Sequence, residues 1–256
     1  MERSVSQMVA GWLTDADLVV AFTGAGVSTE SGIPDFRSPG GVWAKYQPVY
    51  FDAFLADADA RHEYWRQKAE AHRDFADAQP NTGHQTLARW EAAGRLAAVI
   101  TQNIDGLHQM AGGRNVLELH GTAREVACLD CHARYEAGEM VARFVAAGAV
   151  PNCPACGGDR MKHATVSFGQ ALPPSVLREA FALSKRAKLF LAIGSSLVVE
   201  PAASLPRAAK QSGAKLVIVN RDPTPQDETA DLVIREPIGA ALTAIDAELS
   251  TARGGE

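Results

Sequence analysis

Four short apolar runs frame the chain: LVVAF at 18–22, LAAVI at 96–100, LFLAI at 189–193 and LVIV at 216–219. Each is continuous rather than alternating and is bounded by polar residues or glycine. That is the pattern of strands buried on both faces of a parallel sheet. A shorter run at 232–234 is expected at a sheet edge. Between the runs, apolar spacing predicts helices over 4–13, 86–93, 175–186, 202–210 and 240–249. Pro174 suits the start of the third helix, and Pro206 should kink or shorten the fourth. Strands alternating with helices imply right-handed crossovers and a doubly wound α/β fold.

Two stretches break this rhythm. Residues 41–79 are polar and aromatic, with a charged helix near 58–78, and residues 123–162 hold all four cysteines. Both are expected to leave the α/β domain and form a smaller lobe together.

Composition narrows the classes. The chain has 256 residues, 46% hydrophobic and 21% charged, so its bulk is not disordered. A net charge of −5 argues against a nucleic-acid or anionic-membrane binder. There is no apolar run of about 18 residues and no secretory pattern at the N-terminus. A cytoplasmic protein is expected, with no membrane partner. Four cysteines are too few for a disulfide scaffold.

Ligands of open α/β sheets bind beyond the carboxyl ends of the strands. There the first run leads into Thr23-Gly24-Ala25-Gly26-Val27-Ser28, a strand, a Gly-x-Gly turn and a helix start. Such a turn brings backbone N–H groups to a pyrophosphate. Thr29 stands where a dinucleotide fingerprint has its third glycine, and no acidic residue closes a second strand about 20 residues on, so a hydride-transfer dehydrogenase fits poorly. Next comes a loop with Pro34, Asp35, Phe36 and Arg37. Loops of this make-up often close over a cofactor.

The second run ends in Thr101-Gln102-Asn103-Ile104-Asp105. Gln102 and Asn103 offer donors and acceptors for an amide or a ribose. Asp105 can accept from a carboxamide or cap a short helix. His120, at the end of Leu117-Glu118-Leu119, is a candidate general base. Of the other histidines, His84 is expected to brace a turn, His108 to orient its neighbourhood and His163 to lie in a loop. Gly194-Ser195-Ser196 and Asn220-Arg221 stand at two further strand ends. Val166–Gln170 reads as extended and alternating, an edge that can take a peptide as an added strand.

Cys128-x-x-Cys131 and Cys153-x-x-Cys156 lie 21 residues apart. Four-thiolate zinc sites use loops of about 15–20 residues, so this one is a residue longer. Four thiolates close a tetrahedral shell, which makes a structural zinc. The competing reading, a redox dithiol, lacks a thioredoxin-like context.

Gly24–Ser28, Gly32–Arg37, Thr101–His108, Leu119-His120-Gly121, the paired Cys-x-x-Cys, Gly194–Ala202 and Val217–Asn220 together resemble the sirtuins, in order and over roughly residues 17–240. The resemblance implies an NAD-dependent protein lysine deacylase acting on acyl-lysine proteins or peptides. It implies a Rossmann-like NAD-binding domain from residues 1–40, 80–122 and 164–256. The small lobe would join a helical module, 41–79, to a zinc-binding module, 123–163.

It further implies NAD contacts by Gly24, Ala25, Gly26, Asp35, Phe36, Arg37, Gln102, Asn103, Asp105, Gly194, Ser195, Ser196, Asn220, Arg221 and Ile238. His120 and Asn103 would be catalytic. The acyl oxygen would attack C1′ of the nicotinamide ribose, with His120 then serving as base for a ribose hydroxyl. Val166, Phe168, Gly169 and Val198 would contact the substrate.

Two positions depart from the family: Gln170 replaces a common Glu, and Ser195 a common Thr. Sirtuins that remove acidic acyl groups carry Tyr-x-x-Arg, whereas Tyr64 is followed by Gln67 at that spacing. Neutral acyl groups, acetyl first, are therefore expected. The alternatives are ADP-ribosyl transfer or NAD hydrolysis on the same scaffold, and a non-enzymatic zinc-module binding protein. The sequence leaves the oligomeric state open, with a monomer expected.

Overall fold

The computed structural model describes residues 3–35 and 47–251. Phe36 and Arg37 lie outside the described residues. The main sheet is built from β1 (Val19–Thr23), β2 (Ala98–Thr101), β3 (Val116–Glu118), β7 (Leu189–Ile193), β8 (Lys215–Val219) and β9 (Leu232–Ile234). All pairs are parallel, in the order β3-β2-β1-β7-β8-β9. The order reverses between β1 and β7, the switch point where such sheets take ligands.

β1 shows why the apolar runs are unbroken. Val19 and Ala21 enter one buried layer with Leu13, Trp90 and Leu242. Val20 and Phe22 enter the opposite layer with Phe190, Leu205 and Ile218. A strand covered on both faces has no polar face to alternate with.

Helix ends follow local chemistry. α1 (Val5–Asp15) opens with a Ser4/Gln7 capping box. α4 (Thr82–Ala92) starts four residues before the expected position, because the Asn81 side chain accepts from the N–H groups of Gly83 and His84. α7 (Pro174–Arg186) opens on its proline as expected. α8 (Ser204–Gln211) starts two residues late, which puts Pro206 in the first turn, where no helical N–H bond is lost. α9 (Ile238–Thr251) packs on α1.

A second, antiparallel sheet joins β4 (Gly121–Cys128), β5 (Arg134–Glu136) and β6 (Met161–Thr165) in the order β5-β4-β6. Around it lie α2 (Phe51–Ala56), α3 (Ala58–Phe75) and α6 (Ala137–Ala147). These elements share one core: Phe54, Tyr64 and Trp65 pack with Val126, Met140, Phe144 and Met161. Trp65 Nε1–H donates to the Met161 carbonyl at 2.8 Å, tying helix to sheet.

Two expectations are corrected here. His163 is in β6, not a loop, and is buried. Residues 166–170 are not an alternating strand. β6 stops at Thr165, and Gln170 N–H closes a turn onto the Ser167 carbonyl at 3.0 Å. Gly169, at φ +81°, makes that turn possible.

Candidate active site

The cleft starts where the turns after β1 and β7 touch. Gly24 N–H donates to the Ile193 carbonyl at 3.1 Å, and Gly26 N–H to the Gly194 carbonyl at 2.9 Å. A Cβ on Gly26 would lie 2.8 Å from Gly194 Cα. A Cβ on Gly194, at φ +63°, would lie 2.5 Å from Val27 N. The glycines therefore permit backbone contact, and two of their N–H groups serve the sheet rather than a phosphate. The turn leads into a 3-10 helix, Ala25–Ser31.

Above this junction opens a cleft of about 1190 Å³. Single small-molecule sites hold about 300–1,000 Å³, so there is room for a dinucleotide and an extended side chain together. Gly24, Ala25, Gly26, Asp35, Gln102, Asn103 and His120 line it. So do Gly194, Ser195, Ser196, Asn220, Arg221 and Ile238 on the side of β7 and β8, and Val166, Phe168 and Gly169 after β6. Asp105 and Val198 are not among the lining residues. Asp105 is buried behind the wall and Val198 is exposed. Tyr64 and Gln67, singled out in the sequence for acyl preference, do reach the wall from α3, and the sequence reading missed only their neighbour Lys68. Their helical spacing was visible, but not which face meets the cleft. Burial lowers the Lys68 ammonium to about 8.

Gln102 orders two neighbours. Its side-chain N–H donates to Ser195 Oγ at 2.7 Å, and its carbonyl accepts from His120 Nδ1 at 2.9 Å. A carbonyl only accepts, so the His120 proton sits on Nδ1 and Nε2 keeps its lone pair. Burial lowers the His120 pKa, opposed in part by that same hydrogen bond, and the ring is held neutral.

Behind Asn103 lies a buried polar network. Ser28 Oγ donates to Asp105 Oδ2 at 2.7 Å and accepts from Asn103 Nδ2 at 3.1 Å. Asn103 Nδ2 also reaches the Gly24 carbonyl at 3.1 Å. Asp105 Oδ1 accepts from Leu107 N–H at 2.9 Å, so the carboxylate serves both the turn and Ser28. His84 approaches Ser28 Oγ at 3.5 Å, and its ring meets His108 edge-on at 4.8 Å. His108 Nε2 bonds Thr23 Oγ1 at 2.9 Å. Burial, with His84 alongside, pushes His108 down to about 3.

The four cysteine sulfurs converge in the small lobe, all within 4.8 Å of one another. Cys128 and Cys156 Sγ lie 3.6 Å apart, as do Cys131 and Cys153. A zinc–sulfur bond of about 2.3 Å gives a tetrahedron with edges of about 3.8 Å, so the set fits one zinc ion. Asp130 N–H points to Cys128 Sγ at 3.4 Å, and the Tyr135 hydroxyl lies 3.4 Å from Cys153 Sγ. Such donors orient thiolates. Gly157, at φ +75°, turns the chain after Cys156.

Elemental analysis is expected to find about one zinc per chain. Cys156→Ser should lower that content and the melting temperature together; full folding without metal would contradict the site. His108 adds a pH dependence. Its folded pKa is depressed, so below about 6.5 the unfolded chain takes up a proton that the native state refuses. Its stability cost is absent above pH 6.5 and reaches about 2 kcal/mol at pH 5. Urea unfolding at pH 7 and pH 5 should show this loss, smaller in His108→Gln.

The Sir2 family pattern matches residues 24–201. An NAD-dependent protein deacetylase of Rhodopseudomonas palustris is 50% identical over 238 residues, 92% of this chain and 94% of its own. A similar protein, NAD-dependent protein deacetylase 1 of Bradyrhizobium diazoefficiens, is 49% identical over 94% of each chain. A solved structure of Sir2 with a p53 peptide and NAD+ is 38% identical and superposes with a TM-score of 0.88, over 97% of this chain and 100% of that one. Shared sequence, shared fold and a four-cysteine centre agree: the chain belongs to the Sir2, or sirtuin, family.

Proposed function

We infer that the chain is an NAD-dependent protein lysine deacylase, moving an acyl group from lysine to ADP-ribose with release of nicotinamide. The observation that carries this reading is His120, neutral and with a free Nε2 lone pair on the cleft wall. Glycosidic cleavage alone needs no base for a ribose hydroxyl, so this imidazole favours acyl transfer over NAD hydrolysis. The deacetylase relatives, and Sir2 solved with an acetylated peptide, support the same chemistry.

NAD, when bound, supplies a ribose carbon and a nicotinamide leaving group. In our reading Gly24, Ala25, Gly26 and Asp35 hold its centre, with Phe36 and Arg37 from the cofactor loop. Gly194, Ser195, Ser196, Asn220, Arg221 and Ile238 hold the adenosine side. Gln102 meets the nicotinamide ribose. Asn103 orients the nicotinamide, and Asp105 acts from behind through Ser28 and the turn. His120 Nε2 takes the proton of a ribose hydroxyl, worth about 10²–10⁴-fold in rate.

Val166, Phe168, Gly169 and Val198 take the acyl-lysine peptide. The Phe168 ring is backed by Tyr50, with centroids 5.8 Å apart. Cys128, Cys131, Cys153 and Cys156 hold one structural zinc. We assign residues 41–79 and 123–163 to the small lobe, on their common core. No helix among the described residues is long and apolar enough to cross a membrane. Four unbridged thiols fit a reducing compartment, and we place the enzyme in the cytoplasm.

Incubation with NAD and an acetyl-lysine peptide, read by mass spectrometry, should yield nicotinamide, free lysine peptide and acetyl-ADP-ribose. Nicotinamide without deacetylated peptide would point to NAD hydrolysis or ADP-ribosyl transfer instead. His120→Ala should lose turnover by at least about 100-fold while still binding NAD; retained turnover would remove it as the base.

Acyl preference is tested at the α3 wall. Gln67 is neutral, and its amide is tied to the Gln47 carbonyl and to Glu63. Acetyl peptide should turn over faster than succinyl peptide. The reverse order would overturn the neutral preference.

A further inference from the structure

The turn that carries Asn103 and Ile104 into the cleft is pinned from two sides. On the inner side Asp105 is held by Ser28 and Leu107. On the outer side the holders come from β4, which starts one residue after His120 and ends at Cys128. Ala123 N–H donates to the Ile104 carbonyl at 2.8 Å. Arg124 Nε–H donates to the Asp105 carbonyl at 2.7 Å.

The Arg124 side chain also lies flat against the turn. A Cβ on Gly106, at φ +72°, would come within 3.2 Å of Arg124 Cγ and 3.3 Å of its Nε. Arg124 Nη2 reaches Met110 Sδ at 3.2 Å, so one guanidinium spans the turn and the short helix α5 (Leu107–Met110) behind it. The Ala123 bond is main chain to main chain, and almost any residue supplies it. The Arg124 bond is charge-assisted and belongs to one side chain. Arg124 is half-buried and is not part of the small-lobe core, so changing it does not empty that core.

We propose that Arg124 is a positioning residue for NAD: from the second sheet it fixes the 103–106 turn, and through it Asn103 and the Asp105 carboxylate. This rests on the deacylase reading above. Arg124 acts on the cofactor wall, not on the wall formed by Val166, Phe168 and Gly169. Its loss therefore separates the two substrates kinetically.

The test is steady-state kinetics of full-length wild type, Arg124→Ala and Arg124→Lys with NAD and acetyl peptide, with zinc content measured on each. Arg124→Ala should raise KM for NAD about tenfold, the cost of one charge-assisted hydrogen bond. KM for peptide should stay within about twofold and zinc at about one per chain. Arg124→Lys, which keeps a donor, should recover most of the loss. An unchanged KM for NAD overturns the proposal. So does an equal rise for both substrates, loss of zinc, or no recovery with lysine. An inactive wild type would instead overturn the deacylase reading itself, which keeps the two failures apart.

Discussion

The whole site depends on a backbone contact that tolerates no side chain. The turns after β1 and β7 meet at Gly24, Gly26 and Gly194, with carbonyl and amide of adjacent strands in direct hydrogen bonds. That closeness brings two strand ends onto one floor at the switch point of the sheet. Gln102 and Ser195, from strands on either side of β1, can then bond side chain to side chain.

The small lobe meets a different constraint. Its sheet has three short strands and its core is shared with α3, so neither part holds enough apolar surface by itself. A zinc ion supplies stability that burial cannot. The lobe also buries charge. Lys162 lies among the rings of Tyr64 and Phe51 and donates to the Thr165 and His163 carbonyls. Burial, with Lys68 nearby, lowers its ammonium to about 7. Aromatic faces and carbonyl oxygens stand in for water there.

The large domain was legible because its strands are apolar on both faces: Leu189–Ile193 and the run at 232–234 coincide with strands β7 and β9. The cysteine knuckles were legible because ligand spacing is local. Met161–Thr165 was not, since a buried strand reading Met-Lys-His-Ala-Thr carries no apolar signal, and its lysine is satisfied by carbonyls that folding brings together. The sequence offered Asp105 as a cap for a short helix, and it does accept from Leu107 at that helix start, but its bond to Ser28 was not legible. Its two oxygens are divided between Leu107 and Ser28, and Ser28 is far away along the chain. That Lys68 joins Tyr64 and Gln67 on the wall depends on how a helix is rolled against a distant strand, a tertiary fact.

One detail of the imidazole's support bears on inheritance. The group that sets which nitrogen of His120 carries hydrogen is the carbonyl of Gln102, part of the peptide chain. Codon changes at position 102 alter the amide that reaches Ser195, but every encoded residue brings the same oxygen. Genetic drift can thus erode the bond to Ser195 while the carbonyl that orients the ring passes to each descendant.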